Sequence, residues 1–252
     1  MLLKFNEEWA RSSVNGALAI RKDINRIVDE ICAQGYRNIC WLGIGGTWAS
    51  GMQAAVHMKE QSEIETWAEN ASEYNTTGNK RVGEGTVVIT SSVTGSTVEV
   101  VEAVKRMQAA GAKVIGFIDI DTTELAKLVD YEIAYPVNEQ LKFFMVADRF
   151  MQNNGEFSDC DAMYAEFEAH LAQALIDVEK KADAFGQEFA KKHWNDPIHY
   201  LWGQETSGAQ RIPMQCAIGR NSCGSRRSPS HPGSSFMVCL KSSQRKHRLP
   251  CS

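Results

Sequence analysis

Apolar side chains recur at helical spacing near the start of the chain, at Trp9, Val14, Ala17, Ile20, Ile24, Ile27, Val28 and Ile31. The spacing predicts one long amphipathic helix over residues 5–34, with Gly35 as its stop. The pattern then changes to short apolar runs, NICWLGIG (38–45), IETWAE (64–69), TVVITSSV (86–93), AKVIGFID (112–119) and YEIAYPV (131–137), each read as a strand. Between them, 47–60, 95–110 and 122–129 read as helices, and 139–153 reads as one more after the last run. Continuous apolar strands alternating with helices require a parallel sheet covered on both faces. The expected fold is therefore α/β, a doubly wound parallel five-stranded sheet.

A second long helical stretch runs from about Asp161 to Trp194, and Asn195-Asp196-Pro197 breaks it before another strand-like run, IHYLWG (198–203). Helix, short polar break and apolar strand ending in Gly thus occur twice, at 5–45 and at 161–203, as though a second α/β unit were beginning. After Gly203 no sustained apolar period of either kind follows. The expected organisation is an N-terminal helix (1–35), a first α/β unit (36–155), the start of a second unit (156–203) and a tail (204–252).

With 43% hydrophobic and 23% charged residues, the composition excludes a disordered or fibrous chain. No apolar run reaches the roughly 18 residues of a membrane span, and the opening MLLKFNEEWARSS lacks the apolar region of a signal peptide, so a cytoplasmic protein without membrane contact is expected. Seven cysteines without a CxxC pair suggest neither a disulfide framework nor a zinc site. Charge alters the picture more. Residues 204–252 hold one acid, Glu205, against eight Lys and Arg, which leaves 30 acids and 19 bases for residues 1–203. A basic tail on an acidic body ordinarily points to nucleic acid or an anionic surface.

Candidate chemistry lies at two strand ends. Gly43-Ile44-Gly45-Gly46-Thr47 follows the first strand, and Ser91-Ser92-Val93-Thr94-Gly95-Ser96-Thr97 follows the strand at 86–93. Ligands of open parallel sheets bind at the carboxyl ends of strands, where a helix start offers unpaired N–H groups and its positive dipole end, so phosphate is the natural guest. Hydroxyls of Ser92, Thr94, Ser96 and Thr97 can donate to phosphate oxygens, and Gly95 lets the backbone turn beneath them. The plainer reading is that such residues only cap the next helix, yet five hydroxyls in seven residues exceed what one cap needs. A dinucleotide turn fails because Trp48 stands where GxGxxG needs its third glycine, and a P-loop fails for want of GK[ST]. His57, His170 and His193 lie on helical segments and read as surface or packing residues. Cys216, Cys223, Cys239 and Cys251 with His231 lack zinc spacing.

The pattern S-x-[ST]-G-x-T-x-E, Ser92 to Glu99, resembles the phosphosugar-binding signature of the SIS (sugar isomerase) domain family. Over about residues 1–203 the chain is similar to double-SIS aldose–ketose isomerases and most of all to fructoselysine-6-phosphate deglycases. The resemblance implies that Ser92, Thr94 and Thr97, with Gly95 and Ser96 in the same loop, hold the phosphate, and that Gly45, Gly46 and Thr47 line the sugar. It implies a phosphorylated sugar or sugar–amine adduct as ligand, no metal or organic cofactor, and a homodimer in the intact family. The family's acid–base residues are a glutamate and a histidine of the second unit, in motifs resembling WEEQ and EFxHG. Neither motif occurs here, so the catalytic residues are unknown.

A shifted reading frame accounts for their absence. If one base was lost or gained near Gly203, each original codon is the wobble base of one present residue plus the first two bases of the next. From Gln204 to Gly224 the allowed readings include AGNQWGATYSYAMCYWEEQLW, and from Gly233 to Lys241 they include GEFFHGMFE. Both motifs return in one frame and in order. Arg220 or Asn221 then stands where the glutamate belongs, and Met237 where the histidine belongs. On this reading the tail is out of frame, nucleic acid is not its partner, and the chain shows retained or weakened phosphosugar binding with little or no turnover. The rival readings are a non-catalytic SIS sensor module, for which no helix-turn-helix segment is found, and an aldose–ketose sugar-phosphate isomerase.

Overall fold

Five strands form at the five apolar runs: β1 (Asn38–Gly43), β2 (Thr66–Asn70), β3 (Thr86–Ser92), β4 (Lys113–Ile118) and β5 (Tyr131–Ile133). The structure is a computed structural model and describes residues 5–193. All pairings are parallel and the order is β2-β1-β3-β4-β5, so the expected doubly wound five-stranded α/β sheet is the observed one. Every residue of β1 and β3 is buried, because helices cover both faces. Ile39, Trp41, Val87, Ile89, Ile115 and Phe117 point to one core, and Cys40, Leu42, Val88, Val114 and Ile118 to the other.

On the first face lie α1 (Glu7–Ala19), α2 (Arg21–Gln34), α3 (Gly46–Gln61) and α7 (Glu139–Asn153). On the second lie α4 (Ala71–Thr77), α5 (Val98–Ala109) and α6 (Glu124–Leu128). Then come α8 (Cys160–Glu166), a wider π turn (Phe167–Leu171) and α9 (Ala172–His193).

Four expectations are corrected. The single helix over 5–34 is two, because the chain leaves helical geometry at Ile20 (φ −76°, ψ −3°), whose carbonyl accepts from Asp23 N and Ile24 N to start α2. The break follows from tertiary partners: α1 packs against α9, whereas α2 packs against α7. The strand at 131–137 stops at Ile133; Tyr135 and Asn138 instead donate to the Ser13 carbonyl at 2.9 and 2.7 Å, which pulls the segment off the sheet. Helix α4 was not expected, since only Ala71 and Tyr74 are buried; the Asn70 side chain nucleates it by accepting from Ser72 N and Glu73 N. The long helix from 161 is interrupted by the π turn. The run at 198–203 and the tail at 204–252 lie outside the described residues.

Two polar links fasten the helices of the first face. Asp148, 2% exposed on α7, accepts from the Tyr164 hydroxyl at 2.6 Å and pairs with His57 Nε2 at 2.6 Å, tying α3, α7 and α8 together. His57 is thus a packing residue, as its helical position suggested, while His170 is exposed. Arg149 of α7 grips Asp29 of α2 through two bonds of 2.7 and 2.6 Å. That hydrogen bonding holds the Asp29 carboxyl below its usual range against a smaller effect of burial. Because the folded pKa lies below the unfolded one, the pair contributes stability above the unfolded value of about 3.9 and loses it as pH falls through the folded value. Asp29→Asn is expected to lower the melting temperature slightly at neutral pH and to make it fall less steeply on acidification below about pH 4. Melting curves from pH 7 to pH 2 check this.

Candidate functional site

The sheet order puts β1 and β3 side by side while their crossovers diverge, β1 leading through α3 to β2 and β3 leading through α5 to β4. This is a topological switch point, where the carboxyl ends of two strands leave a crevice between diverging connections. Leu42 pairs with Thr90, so the turn beginning at Gly43 and the loop beginning at Ser92 flank the same crevice. Both sets of candidates, Gly45, Gly46 and Thr47 on one side and Ser92, Thr94, Gly95, Ser96 and Thr97 on the other, therefore stand together at the carboxyl ends of the central strands.

The glycine turn depends on its residue types. A Cβ on Gly43 would lie 2.5 Å from the Trp48 nitrogen, and Gly45 sits at φ 60°, ψ −121°, which a side chain disfavours. Gly46 opens α3 with empty space where its side chain would be, and no side chain caps the helix. The unpaired N–H groups of the first turn are thus left to a ligand or water.

The hydroxyl loop is braced from within. Ser92, buried at the end of β3, accepts from Gly95 N at 3.0 Å, which still leaves its own O–H to donate. Gly95 has φ 56°, any Cβ there would collide with Thr123, and its carbonyl accepts from Leu125 N at 3.2 Å. Thr97 occupies the N-cap of α5, but its side chain makes no capping bond. Capping therefore does not account for this hydroxyl, and the start of α5 and the Thr97 hydroxyl are both left for something else. Gly95→Ala should destabilise the domain by about 1–3 kcal/mol through the strained φ and the Thr123 clash. Urea unfolding measures it.

Three charged residues near the crevice were not foreseen. Glu139, first residue of α7, accepts from the Thr47 hydroxyl at 2.9 Å. Asp119 follows β4, and one of its carboxyl oxygens is buried without a partner among the described residues; burial raises this carboxyl, opposed by the nearby Lys142 charge. Lys142 is 2% exposed, donates to the Tyr135 carbonyl at 2.7 Å, and is pushed down by burial against the charges of Asp119 and Glu139. Asp119 ends an expected strand and could have been flagged by position. Glu139 carried no such signal, since an acid in a first helical turn is ordinary.

Among the described residues no three His, Cys, Asp or Glu side chains gather as a metal would need, and no helix is long and apolar enough to cross a membrane. A groove between α3 and β2, lined by Met52, Val56, Lys59 and Trp67, lies away from the carboxyl ends of the strands and brings no convergent polar groups.

Residues 35–149 match the family model described as the SIS domain, so this part of the chain is similar to that family. Among solved structures, one described as a candidate phosphosugar isomerase from Salmonella typhimurium LT2 superposes with a TM-score of 0.71 at 17% identity, covering 79% of this chain and 63% of that one. The C-terminal domain of glucosamine-fructose-6-phosphate aminotransferase from Francisella tularensis gives 0.69 at 13%, covering 86% and 66%. A candidate phosphosugar isomerase from Bacillus subtilis gives 0.62 at 20%, covering 77% and 60%. Identities this low show a shared fold, and the chain spans less than two thirds of each of these structures. No curated protein matches the sequence.

Proposed function

We propose that the crevice between β1 and β3 binds a phosphosugar and that the intact protein is a deglycase of the fructoselysine-6-phosphate kind. The observation that carries the binding reading is the Thr97 hydroxyl, placed at the cap of α5 and not capping it. With Ser92, Thr94, Ser96 and the N-terminus of α5, it offers donors to a dianion. Gly45, Gly46 and Thr47 then face the sugar, where Gly46 leaves room.

The reaction implied by the resemblance is acid–base chemistry on the open-chain fructosamine. A base removes a proton from C1 while an acid protonates the C2 carbonyl oxygen, giving an enolamine. Reprotonation at C2 yields an imine at C1, and water hydrolyses it to glucose 6-phosphate and the free amine. This domain's part is to hold the phosphate, so that binding energy orients C1 and C2. The glutamate and histidine that would move the protons belong to the second unit. Arg220 or Asn221 and Met237, which stand in their places on the shifted-frame reading, lie outside the described residues. As written, the chain is proposed to bind without turnover, in a cytoplasmic protein whose intact form is a homodimer. The test is to incubate the purified chain with fructoselysine 6-phosphate and follow glucose 6-phosphate. None should form at enzymatic rates, and release at such rates would overturn the reading.

A further inference from the structure

We infer that Glu139 is the specificity-determining residue that reads the sugar hydroxyls, an inference that rests on the phosphosugar reading of the same crevice. One carboxylate oxygen of Glu139 accepts from Thr47, and the other has no partner among the described residues. A carboxylate is acceptor-only, so it repels phosphate and suits the O–H donors of a polyol. The crevice therefore divides by chemistry. Hydroxyl donors gather at the loop after β3, and at the glycine turn after β1 the free N–H groups of α3 are joined by a carboxylate acceptor beside the space left open by Gly46.

The structure goes to some length to put that acceptor there. Immediately before Glu139, Val137 and Asn138 adopt φ 64° and 49°, a region costly for a β-branched valine. The Asn138 side chain holds this bend by donating to the Ser13 carbonyl at 2.7 Å. One turn into α7, the buried Lys142 ammonium donates to the Tyr135 carbonyl at 2.7 Å and feels the charges of Asp119 and Glu139. A lysine only 2% exposed is costly unless nearby negative charge offsets it. A merely dipolar role for Glu139 would require neither the strained approach nor the buried cation.

Calorimetric titration of the full chain with fructose 6-phosphate and, separately, with inorganic phosphate tests the inference. Glu139→Ala should weaken fructose 6-phosphate about tenfold or more, as expected for lost hydrogen bonds to a charged acceptor, and leave inorganic phosphate within about twofold. Glu139→Gln, which keeps the size of the side chain, should show the same selective loss in smaller degree, with an unchanged melting temperature. Equal losses for both ligands in the Gln variant, or no loss for either, would overturn the inference while leaving the phosphate loop standing. If the wild-type chain binds neither ligand, the phosphosugar reading falls with it.

Discussion

Restoring the reading frame after the codon for Gly203 by a one-base change is expected to turn a binder into an enzyme. On the proposed frameshift a glutamate would replace the Arg220–Asn221 region and a histidine would replace Met237, so a proton donor and acceptor would become available to the bound sugar. General acid–base groups contribute about 10²–10⁴-fold each in rate, and the corrected chain should release glucose 6-phosphate from fructoselysine 6-phosphate at a rate at least that far above the original. The same experiment separates the damaged enzyme from a sensor module, because a sensor gains no turnover from a corrected tail. A corrected chain that folds, binds the substrate and still releases nothing would contradict the frameshift account.

Asp148→Ala should strongly destabilise the described domain. It removes the acceptor of the Tyr164 hydroxyl and the partner of His57 Nε2, both at 2.6 Å, from a position 2% exposed. Burial and the neighbouring Asp148 push the Tyr164 phenol far above its ordinary range, so it remains a donor at all accessible pH. Leaving a buried donor unsatisfied costs about 1–3 kcal/mol, and the loss of the His57 pairing adds to it, for a total of about 3–4 kcal/mol. For a domain of this size that lowers the melting temperature by about 10 °C. Tyr164→Phe, which removes donor and demand together at that position, should cost about 1 kcal/mol. Urea titrations of the two variants check the order. A loss under about 1 kcal/mol for Asp148→Ala would show that the α3–α7–α8 junction is held by its apolar contacts alone.

How much of the fold and site was legible in the sequence varies from element to element. Strands β1 and β3 were plain because both their faces are buried, which demands unbroken apolar runs. The crevice followed from them, since a Gly-rich turn and a hydroxyl cluster at the ends of parallel strands put backbone and side-chain donors where such sheets take ligands. The break at Ile20 was invisible because Ala17, Ile20 and Ile24 follow one another at three- and four-residue spacing across it. Only the separate partners of α1 and α2 decide the break. The last strand was read too long, since the pull of Ser13 on Tyr135 and Asn138 is a contact across more than 120 residues. Glu139 looked like any acid opening a helix. Lys142, set between Leu141 and Phe143 at a core position of α7, was the signal that could have led to it.

The central claim is that the hydroxyl loop after β3 holds the phosphate of a sugar, and one titration tests it most directly. Fructoselysine 6-phosphate is titrated into the full chain and into a Thr94→Ala/Thr97→Ala double variant. Neither hydroxyl has a hydrogen-bond partner within the described residues, so their loss should leave the melting temperature nearly unchanged. Each hydrogen bond to a charged phosphate is worth about 1.5–3 kcal/mol, so the double variant should bind about 100-fold more weakly or worse. Saturable binding by the wild-type chain, with that loss in the variant, is the predicted result. No binding by the wild-type chain, or equal binding by both, would contradict the account.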